Sequence, residues 1–460
     1  MIQRVLFVYL DQESSSYSGL RGKPNRSIRR RPQLGFQYLS SVLESAGVDT
    51  VILDQTITPF TVRDLAEKVK DVSCDIVGFY TATALKDKVR SFISGLKEAT
   101  GIPIIAGGPG SVNGGEYLEA GCDIVCNGEG EKTILDIIDH YNGKRELATI
   151  RGISYLEKGE VRTTVPQDLI EDLDILPFPK RDRIPVDYYH DYYIFTMRKP
   201  YITMMTSRGC PFRCTFCTSH LFWQTRYRVR SVDNVLKEID EARRALNVRY
   251  IAFLDDIFGF EERWLKEFCE GLIKRRYRDL RWMCILHPFS LRKGRGVLLD
   301  LLKESGCDTL SFGLQSAHPE ILKNIKRHPD EPVELEKTIT LARQKGFLTS
   351  IGIIFGLPQE THDTIRHTID YCCRVRPTYA EFYNLELLEG SEITRVYQKK
   401  ESVCAVGSPE LDWWCKYAAR KFYSHPSQII SIMKIILTKN PSWFVTAARN
   451  AKHFITATGY

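Results

Sequence analysis

The stretch "TSRGCPFRCTFCTSH", residues 206–220, is the most informative part of this 460-residue chain. Its cysteines, Cys210, Cys214 and Cys217, follow the spacing C-x3-C-x2-C. A closed structural metal site normally takes four protein ligands, so three cysteines raise the question of what occupies the fourth position. His220 would complete a Cys3His zinc set, and this remains one alternative. The other is an iron–sulfur cluster, in which three thiolates on four irons leave one iron open to a small molecule.

The surroundings of the motif favour the open cluster. From residue 201 to about 390, short apolar runs alternate with helical patterns, and the motif follows the first run. The six candidate strands are "YITMMT" (201–206), "YIAFLDD" (250–256), "WMCIL" (282–286), "TLSFGLQS" (309–316), "LTSIGIIFG" (348–356) and "YAEFYNLEL" (379–387). Six β/α units are too few to close an eight-stranded barrel, so we predict a partial (β/α)6 barrel. The cysteines would then lie at the end where barrel enzymes carry out their chemistry.

The first 145 residues show a second α/β pattern. Apolar runs such as "VLFVYL" (5–10), "DIVGFY" (75–80) and "PIIAGG" (103–108) alternate with helix-period segments. This alternation predicts a Rossmann-like parallel sheet with helices on both faces. Ligands of such sheets bind beyond the carboxyl ends of the strands, where Thr81–Thr83, Gly107–Gly110 and residues 128–131 fall.

The cysteine motif, with aromatic Phe216 before the third cysteine, resembles that of the radical S-adenosylmethionine superfamily. The resemblance implies a [4Fe–4S] cluster whose open iron binds S-adenosyl-L-methionine, and cleavage of that cofactor to a 5′-deoxyadenosyl radical. Gln315 stands where these proteins usually have Glu. The residues that the resemblance places near the cofactor, in addition to Phe216, are Asp255, Asp256, Gln315, Ser316, Ile353 and Gly356.

Residues 1–145 resemble the cobalamin-binding domain of one branch of this superfamily. That branch includes the anaerobic magnesium-protoporphyrin ester cyclase and hopanoid- or lipid-modifying enzymes. By this resemblance a corrinoid site is lined by Thr81, Thr83, Gly107, Gly108, Gly128 and Glu129. The first histidine of the chain is His140, beyond the last predicted strand, so we expect base-off cobalamin without a histidine ligand. The alternative is a Rossmann-like domain that has lost its ligand and serves as a lid.

We therefore predict four parts: a cobalamin-binding domain (1–145), a Pro-rich connector with a hairpin (146–200), a radical S-adenosylmethionine barrel (201–395) and C-terminal helices (400–460). No apolar leader follows Met1, so we expect a cytoplasmic protein. From Trp413 onward there is no Asp or Glu but seven Lys or Arg, equal to the net charge of +7. This aromatic, cationic tail predicts either a peripheral contact with the inner membrane face or a cap on the open side of the barrel.

The expected function is hydrogen abstraction from an unactivated carbon of an apolar, lipid-like or tetrapyrrole-like substrate, leading to methylation, cyclisation or rearrangement. An external electron donor such as flavodoxin or ferredoxin would reduce the cluster. The basic stretch "WQTRYRVRS" (223–231) is expected to have a local or anion-contacting role, and no nucleic-acid partner is predicted. Two alternatives stay open, a tRNA methylthiotransferase-like enzyme and a non-catalytic cobalamin-binding protein. Only Cys74, Cys122 and Cys126 are available for a second, N-terminal cluster.

Overall fold

The computed structural model describes residues 1–11, 29–111, 114–191, 198–398 and 404–439. Contacts divide them into two compact units. The first takes the described residues of 1–11, 30–189 and 218–230, and the second takes those of 190–217 and 231–439. Residues 218–230, which follow the third cysteine directly, thus belong to the first unit.

Strands and helices alternate along most of the described chain. The strands are β1 (Arg4–Tyr9), β2 (Arg29–Arg30), β3 (Asp49–Asp54), β4 (Ile76–Tyr80), β5 (Ile104–Gly107), β6 (Ile124–Cys126), β7 (Ile153–Glu157), β8 (Glu160–Thr163), β9 (His190–Asp191), β10 (Tyr201–Met204), β11 (Ser207–Arg208), β12 (Arg228–Val229), β13 (Tyr250–Phe253), β14 (Arg281–Leu286), β15 (Cys307–Gln315), β16 (Leu348–Phe355) and β17 (Tyr379–Asn384). The helices are α1 (Leu34–Ser45), α2 (Val62–Asp71), α3 (Lys86–Thr100), α4 (Gly115–Glu119), α5 (Gly130–Tyr141), α6 (Ser219–Trp223), α7 (Val232–Leu246), α8 (Glu262–Arg275), α9 (Arg295–Glu304), α10 (Pro319–Asn324), α11 (Glu331–Gln344), α12 (His362–Val375), α13 (Glu392–Gln398), α14 (Ser408–Tyr423) and α15 (Pro426–Lys439).

The first unit contains the predicted Rossmann-like sheet. Among the described residues its strand order is β3-β1-β4-β5-β6-β7-β8, and the first five of these strands are parallel. Successive side chains of β1 lie on opposite faces of the sheet. Leu6 and Val8 pack in the apolar core on one face, and Val5 and Phe7 pack in the core on the other. The sheet is therefore covered on both faces, which is why its strands read as continuous apolar runs.

The predicted connector is partly integral to this sheet. The expected hairpin forms as β7 and β8, joined through Lys158 and Gly159, both of which have positive φ. β7 then pairs antiparallel with β6 and so extends the sheet by two strands. The sequence showed the hairpin but not its pairing, because its turn chemistry is local and its partner strand is not.

The second unit contains the predicted partial barrel. Its described strands lie in the order β10-β13-β14-β15-β16-β17, every neighbour parallel and consecutive along the sheet. The two edge strands β10 and β17 do not pair with each other in the described part of the chain. Thr361 caps α12 at its start, since its side chain accepts a hydrogen bond from the Thr364 amide at 3.3 Å.

The tail is helical as far as the structure describes it. α14 buries Trp414, Ala418 and Phe422, and its Trp414 indole donates to His362 Nδ1 of the barrel. Tail residues 440–460, which include several of the predicted aromatic and cationic positions, lie outside the described residues. Within the described residues no helix is both long enough and apolar enough to cross a bilayer.

Candidate cofactor site

The loop that carries the cysteines is anchored where it leaves β10. Asp255, two residues after the end of β13, accepts hydrogen bonds on Oδ1 from the Thr206 amide (2.9 Å), the Thr206 hydroxyl (2.7 Å) and the Ser207 hydroxyl (2.6 Å). The Ser207 amide donates to the same oxygen. Because β10 and β13 are parallel neighbours, their carboxyl ends bring these residues together. Asp255 is thus a local anchor of the loop, a role that the sequence did not indicate.

Asp255 also carries an unused acceptor. The side chain is 1% exposed, and its Oδ2 is buried without a hydrogen-bond partner among the described residues. Burial raises the pKa of Asp255 to about 6, against the lowering effect of the donors on Oδ1. A buried oxygen without a donor is costly, so this position fits a residue that receives a donor from a bound molecule. Asp256, the next residue, is exposed.

The three cysteines of the motif are half-buried and close together. Burial raises the pKa of Cys210 to about 11, and the charges of Asp256, Cys214 and Cys217 act in the same direction. The loop is held to the barrel by backbone hydrogen bonds from Thr215 to the Ile325 carbonyl (3.3 Å) and from the Ile393 amide to Thr215 (2.9 Å).

The donor set of the loop consists of three thiols, those of Cys210, Cys214 and Cys217. A structural zinc ion takes four protein ligands, with sulfurs at about 2.3 Å from the metal. In a four-iron cluster each cysteine binds a different iron, so three thiols suffice and one iron stays open. The donor set therefore fits such a cluster.

The fourth and fifth barrel strands bring several of the predicted cofactor residues to the same end of the sheet. Gln315 ends β15 with a left-handed φ of 67°, beside a shift in register, and pairs with Ile353 of β16. Its Oε1 is buried without a partner among the described residues. Non-glycine residues rarely hold this conformation, and such strain concentrates at functional sites. The neighbouring Ser316 hydroxyl forms its hydrogen bond with Thr368 Oγ1, at 3.2 Å.

Gly356 begins the turn after β16. Its φ is 94°, and a Cβ there would lie 2.8 Å from Leu411 Cδ1, so the position requires glycine. The amides of Gly356 and Leu357 donate to Glu360 Oε2 at 2.6 and 3.2 Å. Burial raises the pKa of Glu360 to about 8, and its Oε1 has no hydrogen-bond partner in the described residues. Phe216 is half-buried and packs beside Leu357 and Ile325.

In the first unit, the predicted corrinoid residues lie at the carboxyl ends of β4, β5 and β6. The Thr81 amide donates to the Gly107 carbonyl (2.9 Å), and a Cβ on Gly108 would lie 2.6 Å from Thr81 O. The Thr81 hydroxyl is fully buried without a partner in the described residues. Thr83 is exposed, and Gly128 is exposed with a φ of 95°. These features fit a ligand edge that combines close backbone approach with a free hydroxyl.

Glu129 behaves differently from the other predicted corrinoid residues. Both of its carboxylate oxygens accept from Arg228 Nη1, at 3.1 and 2.9 Å, and the Ile170 amide donates to it at 2.7 Å. Its side chain is 1% exposed. The carboxylate is therefore already paired inside the first unit, and only the backbone of Glu129 is left to line a corrin site. The sequence missed this pair because its members are 99 residues apart.

The basic stretch at residues 223–231 forms ion-pair and aromatic contacts within the first unit. Arg226 forms a bidentate pair with Glu171 at 2.6 and 2.8 Å, and the Arg230 guanidinium stacks over Phe178. These contacts agree with the predicted local role and use donors that a phosphate backbone would need.

The cysteines of the first unit pack at its apolar cores. Cys122 is buried with its thiol directed to the carbonyls of Ile104 and Ile124. Cys74 and Cys126 are half-buried and pack against the same cores. These contacts are those of small apolar side chains.

Comparison with known proteins identifies both units. The Radical SAM superfamily model matches residues 204–372, and the B12 binding domain model matches residues 30–138. An uncharacterized methyltransferase from Pyrococcus horikoshii is 32% identical over 361 residues, which cover 76% of this chain and 75% of that protein. The anaerobic magnesium-protoporphyrin IX monomethyl ester cyclase of Rubrivivax gelatinosus is 27% identical, and the match covers 73% of this chain and 61% of the cyclase.

Among solved structures, the radical S-adenosylmethionine methyltransferase TsrM from Kitasatospora setae has the same fold. The TM-score is 0.70 at 20% identity, over 86% of this chain and 76% of TsrM. The chain belongs to the cobalamin-binding radical S-adenosylmethionine superfamily. It is accordingly a radical S-adenosylmethionine enzyme, whose cofactors are a [4Fe–4S] cluster, S-adenosylmethionine and cobalamin.

Proposed function

We propose that the enzyme transfers a methyl group to an unactivated carbon of an apolar small molecule. The observation that carries this proposal is the open three-cysteine loop at the carboxyl end of a partial barrel, in a chain that also has a B12-binding unit. The relative at 32% identity, named a methyltransferase, supports methyl transfer over the other outcomes. Cyclisation is the second candidate, because the relative at 27% identity is named a cyclase.

In this proposal the chain holds its cofactors at the two strand edges described above. Cys210, Cys214 and Cys217 would bind three irons of the cluster, and the fourth iron would be left for S-adenosylmethionine. The buried acceptors Asp255 Oδ2 and Gln315 Oε1 receive donors of S-adenosylmethionine, with Phe216, Asp256, Ser316, Ile353 and Gly356 around it. A corrin would be held by Thr81, Thr83, Gly107, Gly108, Gly128 and the backbone of Glu129. When bound, the cluster with S-adenosylmethionine supplies a radical that removes hydrogen from carbon, and cobalamin supplies a transferable methyl group.

The boundaries of these functional parts are proposals as well. Residues 1–145 form the cobalamin-binding domain, 146–200 the connector, 201–395 the radical domain and 400–460 the tail.

Reduction of the cluster requires a one-electron donor of the flavodoxin or ferredoxin kind, which a cytoplasmic enzyme would meet in its own compartment.

The apolar nature of the substrate is supported by the tail. α14 and α15 use one side to pack on the barrel: Ile432 and Ile435 of α15 contact the cluster formed by Leu348 and Tyr379. The opposite side of α15 leaves Ile429, Ile430 and Met433 exposed at 48%, 67% and 38%. An exposed apolar face on an acid-free, cationic segment is complementary to an anionic bilayer. We propose that this face lies on the membrane surface and meets an apolar substrate there.

The test is turnover by the full chain reconstituted anaerobically with iron, sulfide and a corrin. With reductant and S-adenosylmethionine deuterated in its methyl group, candidate tetrapyrrole and polycyclic lipid substrates should gain a labelled methyl group. The Cys210→Ala, Cys214→Ala, Cys217→Ala triple variant is the control, and it should lose its iron together with deoxyadenosine production. A product that loses hydrogen without gaining the label would support cyclisation. Zinc in place of about four irons would show the cluster assignment to be wrong.

A further inference from the structure

In the second unit, a row of side chains in contact with one another begins at Phe212 of the cysteine loop and continues through His287 and Glu331 to Arg327. The ring of Phe212, between the first two cysteines, stacks on His287 with 4.3 Å between centroids and 16° between planes. His287 Nε2 lies 3.5 Å from Glu331 Oε1, and Glu331 is paired with Arg327. None of these residues belongs to the cofactor contacts implied by the family resemblance.

Arg327 is the member of this row that reaches a cluster ligand. The Thr215 amide, next to Cys214, donates to the Ile325 carbonyl at 3.3 Å, which brings the segment that carries Arg327 against the cysteine loop. Burial raises the pKa of the Cys214 thiol, and the charge and hydrogen bonding of the nearby Arg327 guanidinium act in the opposite direction. The same guanidinium donates to the Gly313 carbonyl at 2.8 Å, and its Nε donates to Glu331 Oε2 at 2.8 Å. With side chains 7% and 2% exposed, Arg327 and Glu331 are both shielded from solvent.

The charges of this pair are held in place. An arginine guanidinium keeps its proton in proteins, so Arg327 brings a fixed positive charge to the sulfur of Cys214. Glu331 lies behind it. Burial raises the pKa of Glu331, but the hydrogen bond from His287 and the charge of Arg327 outweigh burial, and the pKa lies below its ordinary value. Glu331 is therefore anionic at neutral pH and offsets part of the arginine charge.

We propose that Arg327 and Glu331 are positioning residues that set the reduction potential of the cluster through Cys214. Reduction adds one electron, from an external one-electron donor, and takes the cluster from the 2+ to the 1+ state. A donor to a ligand sulfur and a nearby cation both stabilise the reduced state, and hydrogen bonds to sulfur are a recognised determinant of cluster potential. Arg327 thus raises the potential, and Glu331 lowers it. The proposal rests on the cluster of the proposed function.

The test is a redox titration of the reconstituted full-length enzyme, followed by electron paramagnetic resonance of the reduced cluster. Arg327→Met should lower the equilibrium constant for reduction at least tenfold, a shift of about 59 mV to more negative potential. Glu331→Gln, which can still accept from Arg327, should shift the potential in the opposite direction. Arg327→Lys should fall between wild type and Arg327→Met. The matched control is Lys326→Met, which removes a positive charge from the residue next to Arg327. Lys326 is paired with Glu392 at the surface, and the two side chains are 54% and 47% exposed.

The outcomes separate three cases. Opposite shifts in Arg327→Met and Glu331→Gln, with Lys326→Met unchanged, support the proposal. A wild-type potential in Arg327→Met with full iron content would overturn it and leave Arg327 a purely structural role. If Arg327→Met loses its iron, Arg327→Lys and Glu331→Gln decide, and wild-type potentials in both would overturn the proposal. A wild-type protein that binds no four-iron cluster would instead contradict the proposed function itself.

Discussion

The Asp255 carboxylate accepts hydrogen bonds from both the amide and the hydroxyl of Ser207, three residues before the first cysteine of the motif. The same oxygen also binds both donors of Thr206. One buried acid just beyond the end of β13 therefore determines the direction in which the chain leaves β10 and enters the cysteine loop.

Removal of this acid should loosen the loop before it affects the rest of the barrel. In Asp255→Ala the buried donors of Thr206 and Ser207 lose their acceptor, at a cost of about 1–3 kcal/mol for each unsatisfied group. We expect iron content after anaerobic reconstitution and gel filtration to fall well below wild type, with Asp255→Asn retaining more. Asp363→Asn, at a side chain 90% exposed, is the control. Full iron content and unchanged thermal stability in Asp255→Ala would contradict the anchoring role.

Glu360 should make stability depend on pH above the usual carboxyl range. Its pKa is about 8 in the folded protein and 4.5 ordinarily, so the folded state binds more protons between these values. The free energy of unfolding should therefore fall as pH rises from about 5 to about 8, by at most about 1.4 kcal/mol per unit, and level off above. Asp255, whose pKa is raised to about 6, gives a slope of the same sign at lower pH, so the comparison is made above pH 6. There, denaturant titrations should show the slope in the wild type and not in Glu360→Gln. The exposed Glu320→Gln variant should keep it, and equal slopes in all three proteins would disprove the assignment.

The buried pair between Arg228 and Glu129 should be costly to break from one side. Arg228→Met leaves an unpaired buried carboxylate, and we expect a loss of about 3–5 kcal/mol in the stability of the first unit. The double variant Glu129→Gln, Arg228→Met should recover much of this loss. Arg226→Met removes an arginine from an exposed pair with Glu171 and should cost about 0–1 kcal/mol. Thermal unfolding followed by circular dichroism would compare them, and equal effects of Arg226→Met and Arg228→Met would refute the difference in burial.

Cobalamin should bind without an axial nitrogen. No histidine precedes His140 in the chain, and His140 lies on α5 with its Nδ1 3.0 Å from the Arg145 carbonyl. The electron paramagnetic resonance spectrum of the cob(II)alamin form should therefore show no splitting from an axial nitrogen. Free cobalamin at neutral pH, whose own base is coordinated, provides the reference spectrum. Nitrogen splitting in the protein spectrum would contradict the prediction.

The exposed face of α15 should carry membrane binding. The full chain should float with vesicles containing anionic lipid at low salt, and Ile429→Asp, Ile430→Asp, Met433→Asp should reduce the bound fraction at least tenfold. These changes spare the side of the tail that packs on the barrel, whereas truncation near residue 405 would remove α14 from it. The matched control is Val165→Asp, Val297→Asp, Val333→Asp, which adds the same number of acids at exposed positions outside the tail. A wild-type protein that stays with the soluble fraction at low salt would contradict a membrane contact.

Much of the fold was predictable because its signals are local. Strands buried on both faces are continuous apolar runs, and the runs quoted from the sequence correspond to β1, β4, β5, β10 and β13 to β17. The order of the barrel strands also followed, because consecutive β/α units place each new parallel strand beside the last. The pairing of β7 with β6 did not follow, because nothing in a hairpin identifies the edge that it will join.

The sequence by itself determined the fold class, the three-cysteine loop and the family, because spacing and periodicity are properties of a short stretch of chain. Tertiary structure alone decided which polar groups meet. Asp255 looks from the sequence like a cofactor ligand, yet its Oδ1 is used by Thr206 and Ser207. Glu129 is paired with an arginine 99 residues away. Arg327, from the segment after α10, acts on the thiol of Cys214. Buried polar groups are stable only when they are hydrogen-bonded or paired. Their partners here are distant in sequence, so only the folded chain brings them within reach.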